Sequence, residues 1–245
     1  MPLLLKSDSH AVYYFRDLSP KGAVQANQYL IVDSSEALLL DLGGKIVFNN
    51  LLSEVGRVVP INSIKVIFAT HHDPDIVSAL TSWTVVCPKA KVYLPKLWSR
   101  FLPHIFSKER SWDFIVEVPD EGTEIRLGRT VLKVIPAHYL HSARNFTLYD
   151  PASKILFSGD IGSALLPPEK DADFIDNIED YLDYMKYFHQ TYMVSNKACQ
   201  KWVSLVENLE IEYIAPQHGA IIRGKQNVEK FLQWLKQLRC GVDLL

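Results

Sequence analysis

The sequence predicts an α/β fold built from two mixed β-sheets with helices covering both outer faces. Apolar runs rich in β-branched and aromatic residues occur in two groups along the chain, and helical segments lie between and after these groups. Four of the apolar runs are followed closely by His or Asp, which is typical of layered folds that place their functional loops along one edge. No linker or repeat interrupts the 245 residues, so we expect a single domain over residues 1–245.

The elements of the first half follow from apolar runs bounded by turn residues. Strands are expected at 11–16, 29–32, 37–40, 64–68 and 91–94. Turns are expected at 20–22 and 33–36, where Pro, Gly, Asp and Ser are concentrated. A helical stretch opens at 40–44 and runs to about 58, and further helices are expected at 80–86 and 97–106.

The second half repeats this alternation of strands and helices. Strands are expected at 115–118, 123–127, 130–135, 155–158 and 211–215. Helices are expected at 177–194, 197–209 and 228–238. The order of elements alone leaves several α/β or α+β topologies open.

The richest cluster of polar side chains follows the strand at 64–68. His71, Asp73 and Asp75 alternate there, and Pro74 restrains the loop. Imidazole and carboxylate groups at the tip of an apolar strand need partners or a metal, because burying them unpaired is costly. The segment therefore predicts half of a metal site. Asp75 beside Pro74 is also a candidate helix N-cap, and the two roles are compatible.

Three later loops carry the side chains that complete such a site. His138 and His141 follow the strand at 130–135, Asp160 follows the strand at 155–158, and His218 follows the strand at 211–215. Ligands gathered by tertiary folding need only meet in space. A set rich in carboxylates with some imidazole suits iron or manganese, whereas thiolates and several imidazoles suit zinc.

The motifs in this order resemble the metallo-β-lactamase fold, and in detail its flavodiiron and oxygen-binding di-iron branch. They are His-x-Asp-x-Asp, Pro-Ala-His, Ser-Gly-Asp and His-Gly, and the phrases "NFTLYDPASKILFSGD" and "APQHGAIIRG" are similar to flavodiiron versions. The resemblance runs from about Tyr29 to about Lys236. It implies a four-layer αββα sandwich of two mixed sheets.

The resemblance also implies a ligand set for two iron ions, with zinc or manganese as alternatives. The first metal takes three ligands, the second takes two, and one carboxylate bridges both ions. The first set is His71, Asp73 and His138, the second is Asp75 and His218, and the bridge is Asp160. His72 and His141 are expected to be extra ligands or to contact the ligands from behind.

Two positions depart from the flavodiiron pattern. Ile76 stands where that motif ends in His, so the second metal is expected to be one ligand short unless His72 or His141 moves in. Asp73 stands where Glu is usual. The missing ligand resembles the oxygen-binding di-iron proteins, which hold an oxygen adduct rather than turning it over quickly.

The resemblance implies a di-iron protein that binds dioxygen. We expect it to act as an oxygen sensor or carrier that reports to a signalling protein, or as a reductase of dioxygen or nitric oxide that receives electrons from a separate donor of flavodoxin or rubredoxin type. Nothing in the sequence resembles a flavodoxin phosphate loop, so no FMN site is expected within it. By resemblance Tyr187 is the tyrosine expected to reach the metal pocket. Zinc-dependent hydrolysis is the alternative activity, and a scaffold without metals is a third reading.

Composition excludes several other classes. The formal net charge is −2 with no basic excess, which argues against a nucleic-acid partner, and no apolar run approaches membrane-spanning length. The three cysteines are widely spaced and form no CxxC motif, so a reducing cytoplasm is the expected compartment. A homodimer is compatible with the resemblance.

Overall fold

The computed structural model describes residues 3–7, 9–106, 112–167 and 171–245. The chain forms two compact units, Met1–Leu132 and Lys133–Leu245. Within the described residues, fourteen strands form two mixed sheets of seven strands each, and seven α-helices occur between and after the strands. The predicted fold class is therefore confirmed. The expectation of one domain over residues 1–245 stays a prediction.

The first sheet contains strands β1 to β7 in sequence order. Their bounds are β1 Leu3–Lys6, β2 His10–Phe15, β3 Gln28–Asp33, β4 Glu36–Leu40, β5 Ile64–Phe68, β6 Lys91–Pro95 and β7 Ile115–Val118. Strands β1 to β4 pair antiparallel, and β4 to β7 pair parallel. Because β4 and β5 are parallel neighbours, the residues that follow them lie at the same edge of the sheet. This topology brings Asp41 next to the loop that carries His71.

Four helices belong to the first unit: α1 Phe48–Val58, α2 Pro74–Val77, α3 Leu80–Val86 and α4 Lys96–Ser99. Helix α1 is amphipathic and buries Leu51 and Val55. The core of this unit also contains Ile67 from β5 and Trp83 from α3, both fully buried. The loop after β5 is thereby mounted on a rigid strand.

The second sheet has the strand order β12-β14-β13-β11-β10-β9-β8. The bounds are β8 Thr123–Leu127, β9 Thr130–Pro136, β10 Phe146–Asp150, β11 Ile155–Gly159, β12 Phe174–Ile175, β13 Tyr213–Pro216 and β14 Ile221–Arg223. Strands β11 and β13 are parallel, and β10 runs antiparallel to both β9 and β11. Strands β9, β11 and β13 therefore end at the same edge, where the loops carrying His138, Asp160 and His218 begin.

Three helices belong to the second unit: α5 Leu182–Tyr192, α6 Asn196–Val206 and α7 Lys225–Gln237. Each presents one apolar stripe to the core. Trp202, Phe231 and Leu235 from these helices pack in one cluster with Ile214 of β13.

Several predicted elements were wrong in extent. The helix expected at 97–106 is replaced by α4 and a 3₁₀ turn at Leu102–His104, because Pro103 lacks the N–H that a continuous helix needs. The helix expected at 177–194 is divided into a 3₁₀ turn at Ile178–Asp180 and α5. Strand β10 and the short elements β1, α2, β12 and β14 were not predicted.

Two further observations concern the helices and the cysteines. In the parts of the chain that the structure describes, no helix has both the length and the apolar character needed to cross a membrane. Cys87, Cys199 and Cys240 are buried free thiols.

Candidate metal centre

A chain of hydrogen bonds orients His71 in the first unit. Asp41 has a left-handed backbone (φ 51°) and accepts a hydrogen bond from the Thr70 backbone N–H at 3.0 Å. The Thr70 hydroxyl lies 2.9 Å from Asp41 Oδ1 and 3.0 Å from His71 Nδ1. Because a carboxylate only accepts, the hydroxyl donates to Asp41 and accepts from the Nδ1–H of His71. This fixes the tautomer that leaves Nε2 of His71 as the metal-binding nitrogen.

The two aspartates of the first motif lie at the start of helix α2. Asp73 is the N-cap residue, and its side chain makes no capping hydrogen bond. Its Oδ2 lies 3.9 Å from Nε2 of His71. Asp75, the alternative N-cap candidate in the sequence, instead lies in the first turn of the helix and is half-buried. The Ile76 side chain is fully buried in the core of the first unit and cannot coordinate a metal.

His72 differs from His71 in burial. It is exposed, and its ring stacks on Trp98 with centroids 3.8 Å apart and an interplanar angle of 24°. A cavity of about 380 Å³ lies beside the two histidines, with apolar walls that include Leu80 and Leu94. The role predicted for His72, an extra ligand or a contact of the ligands, stays a prediction.

Asp160 is the centre of the ligand cluster in the second unit. The residue is buried, and Gly159 before it has a left-handed backbone (φ 59°). Asp160 Oδ2 lies 3.5 Å from Nε2 of His141, and Oδ1 lies 3.6 Å from Nε2 of His218. These distances exceed those of ordinary N–H···O hydrogen bonds. Two ligands of one ion are roughly 3.0–3.5 Å apart, so the spacing fits donors arranged around metal ions.

Backbone hydrogen bonds join the Asp160 loop to the His218 loop. The N–H of His218 donates to the Ser163 hydroxyl, and the N–H of Ala164 donates to the His218 carbonyl, both at 3.3 Å. Gly219 makes this close approach possible, because a Cβ there would lie 2.8 Å from the Ala164 carbonyl oxygen. Two of the predicted ligands are therefore held in fixed register by the fold.

The loop after β9 presents its two histidines differently. His141 approaches Asp160, and its ring packs edge-to-face against Tyr192 at 5.4 Å. The ring of His138 packs edge-to-face against Phe146 at 5.2 Å. His138 was predicted to be a ligand and His141 an extra ligand or a contact of the ligands, and both roles stay predictions.

The choice of Tyr187 is corrected by the structure. Its side chain is 77% exposed. Helix α5 turns this residue toward solvent, and Tyr192 is the tyrosine of α5 that contacts His141.

Three residues that contact the ligand loops were missed. Asp41 and Thr70 orient His71. Asp41 follows an apolar strand, as the predicted ligands do, so the same sequence pattern could have predicted a role for Asp41 at the site. His189 of helix α5 is the third. It accepts a hydrogen bond from the Gly162 N–H at 3.0 Å, two residues after Asp160. Nothing in the sequence around His189 indicates this contact.

Metal-binding donor types are thus present in each unit, as His71 and Asp73 in the first and as His141 and Asp160 in the second. The sequence matches the ODP family beta lactamase over residues 24–219. The chain belongs to this family.

Solved structures agree with the family match. One described as "Peroxy diiron species of chemotaxis sensor ODP" is 40% identical with a TM-score of 0.88, and the match covers 99% of this chain and 97% of the other. The apo state of the chemotaxis sensor ODP from T. denticola is 38% identical with a TM-score of 0.87, and covers 98% and 95%. These matches agree with the predicted metallo-β-lactamase-like, flavodiiron-related fold.

Among curated proteins, the rubredoxin-oxygen oxidoreductase of Megalodesulfovibrio gigas is 24% identical over 230 residues. The match covers 90% of this chain and 55% of that protein. The chain spans about half the length of the curated relatives it matches.

Proposed function

We propose that this chain binds dioxygen at two iron ions held by histidine and carboxylate side chains. The observation that carries the proposal is the buried Asp160 carboxylate, whose two oxygens face two different imidazoles. A carboxylate arranged in this way is suited to bridge two ions. Family membership, and the relative described as a peroxy diiron species, support iron as the metal.

The proposed ligands differ from the sequence-based set at one position. They are His71, Asp73, Asp75, His141, Asp160 and His218. His141 takes the role first given to His138, because its Nε2 lies 3.5 Å from Asp160 Oδ2. Ile76 supplies no donor, which leaves the second ion one ligand short.

The residues of this chain set the net charge of the site and the protonation of its first histidine. Iron, when bound, supplies reversible dioxygen binding through two ferrous ions. Three carboxylates opposing two divalent ions leave a net charge of about +1, which favours an added anionic ligand. The Thr70 hydroxyl keeps the Nδ1 proton of His71 in place and so leaves Nε2 basic.

The partners belong to the proposal as well. We favour an oxygen sensor that passes its signal to another protein in the cytoplasm. Reduction of dioxygen or nitric oxide with electrons from a flavodoxin or rubredoxin is the other outcome that the experiment below distinguishes. A homodimer is compatible with both outcomes.

The test begins with elemental analysis of protein purified without added metal. Two irons per chain support the proposal, zinc supports a hydrolase, and an absence of metal together with failure to take up Fe²⁺ contradicts both. The reduced iron-loaded protein is then mixed rapidly with dioxygen. A long-lived coloured species indicates sensing, and catalytic consumption with an added reductant indicates a reductase.

A pair of variants tests which histidine is the ligand. We expect His141→Ala to lower Fe²⁺ affinity at least about tenfold and to lose roughly one iron per chain. His138→Ala is the matched control, and it should keep both irons. Anaerobic Fe²⁺ titration measures both variants, with circular dichroism to verify folding. Full iron content in His141→Ala with loss in His138→Ala would restore the original assignment.

A further inference from the structure

His189 of helix α5 is a fully buried histidine with both ring nitrogens engaged. Its Nδ1 lies 2.7 Å from the Met185 carbonyl oxygen, and its Nε2 lies 3.0 Å from the backbone nitrogen of Gly162. A carbonyl oxygen and an N–H are unambiguous partners, so Nδ1 carries the proton and Nε2 is the acceptor. The hydrogen bonds require the neutral ring in this one tautomer.

The surroundings of the ring favour the neutral form. The rings of Phe231 and Trp234 lie near it, with centroids 6.2 Å and 5.3 Å away. Burial lowers the pKa of His189 to about 4. The lone pair on Nε2 is therefore available to Gly162 at neutral pH.

The acceptor acts on the loop that carries the central carboxylate of the second unit. Gly162 is buried, follows Asp160 by two residues and has a left-handed backbone (φ 92°). The Ser163 N–H closes a turn onto the Asp160 carbonyl at 3.1 Å, and the Ser163 hydroxyl accepts from the His218 N–H. The turn after Asp160 is thus bound on two sides. His189 of α5 accepts the hydrogen bond of Gly162, and the His218 loop donates a hydrogen bond to Ser163.

We propose that His189 is a positioning residue for Asp160. Its hydrogen bond to Gly162 keeps the Asp160 carboxylate oriented with one oxygen toward His141 and the other toward His218. The consequence for metal binding rests on the proposed di-iron function. Without the acceptor, the buried Gly162 N–H loses its partner and the turn relaxes, so the carboxylate no longer holds its orientation.

Two substitutions separate this role from simple core packing. His189→Met fills a similar volume but offers no comparable acceptor to Gly162. His189→Gln carries an amide oxygen at about the reach of Nε2 and should restore the hydrogen bond. His10→Met is the matched control, because His10 is also a buried histidine with a hydrogen-bonded ring, in this case to Asp33 of the first unit.

The first readout uses metal-free protein. Nuclear magnetic resonance should detect a scalar coupling across the hydrogen bond between the Gly162 nitrogen and His189 Nε2. Crystal structures of the wild type and His189→Met should show that Asp160 loses its contacts with His141 and His218 only in the variant. Absence of the coupling, or unchanged Asp160 contacts in His189→Met, overturns the proposal.

The second readout is anaerobic titration with Fe²⁺ alone. We expect His189→Met to bind Fe²⁺ about 10- to 100-fold more weakly than the wild type, as expected when a group that orients a metal ligand is removed. The affinities of His189→Gln and His10→Met for Fe²⁺ should lie within about threefold of the wild-type affinity. Equal affinity in His189→Met, or equal weakness in His189→Gln, overturns the proposal. If the wild type takes up no metal, the proposed function fails, and the metal-free readout still decides the role of His189.

Discussion

Replacing Thr70 with Val removes the hydroxyl that joins Asp41 to His71 while keeping the shape of the side chain. The hydroxyl oxygen lies 2.9 Å and 3.1 Å from the two Asp41 oxygens and 3.0 Å from His71 Nδ1, and all three residues are buried. A hydrogen bond to a charged group contributes about 1.5–3 kcal/mol. We therefore expect Thr70→Val to lower the free energy of unfolding by about 2 kcal/mol and to weaken Fe²⁺ binding about 10- to 100-fold.

Urea unfolding of the metal-free protein measures the first effect, and anaerobic titration measures the second. Thr70→Ser is the control, because it keeps the hydroxyl and loses only a buried methyl group, which costs about 0.8 kcal/mol. The serine variant should bind Fe²⁺ as the wild type does. If Thr70→Val and Thr70→Ser bind Fe²⁺ equally well, the hydroxyl does not orient His71.

Two further predictions concern stability. Gly128 has φ 55°, and a Cβ there would lie 2.6 Å from Asp33 Oδ1 and 2.7 Å from the Asp33 carbonyl oxygen. Gly128→Ala should cost more than about 2 kcal/mol by urea unfolding, against about 1 kcal/mol for Gly22→Ala, since Gly22 also has a positive φ (88°) but open space around it. The second prediction concerns pH. Because burial lowers the His189 pKa from 6.5 to about 4, the unfolded chain binds a proton that the native protein excludes between these values. Stability should fall by about 3 kcal/mol as the pH drops from 6.5 to 4 and be insensitive to this group above 6.5. In His189→Met, the free energy of unfolding should no longer show this fall between pH 6.5 and 4. An unchanged dependence on pH would contradict the lowered pKa of His189.

The longer strands were predictable because their apolar runs are long enough to specify a buried element. Strand β5 and helix α3 have the predicted bounds, and most other predicted strands agree within one or two residues. Strand β12 has only two residues, and its pairing with β14 is set by tertiary contacts. The prediction of one continuous helix at 97–106 was wrong, because Pro103 interrupts the helical hydrogen bonds there.

The site shows a similar division between what local sequence encodes and what the fold decides. Strand tips ending in His or Asp predicted the loops that carry the proposed ligands, because such groups rarely follow an apolar run without a role. Sequence spacing could not decide between His138 and His141, which lie three residues apart in one loop. The direction of each ring depends on the backbone of that loop, which sequence spacing does not show. Leu140 is fully buried, its carbonyl accepts a hydrogen bond from the Asn145 side chain, and Tyr139 has a left-handed backbone.

The residues that orient the ligands were the hardest to predict, for a physical reason. A buried loop must satisfy its own backbone and side-chain polar groups, and any element that packs against it can supply the partner. The partner of His71 is the adjacent Thr70, whereas the partner of Gly162 comes from a helix 27 residues further along the chain. The ligand types therefore follow from local sequence, but their orientation depends on contacts that exist only after folding. For this reason we place the strongest tests on Thr70 and His189, where a substitution changes orientation and leaves the proposed ligands in place.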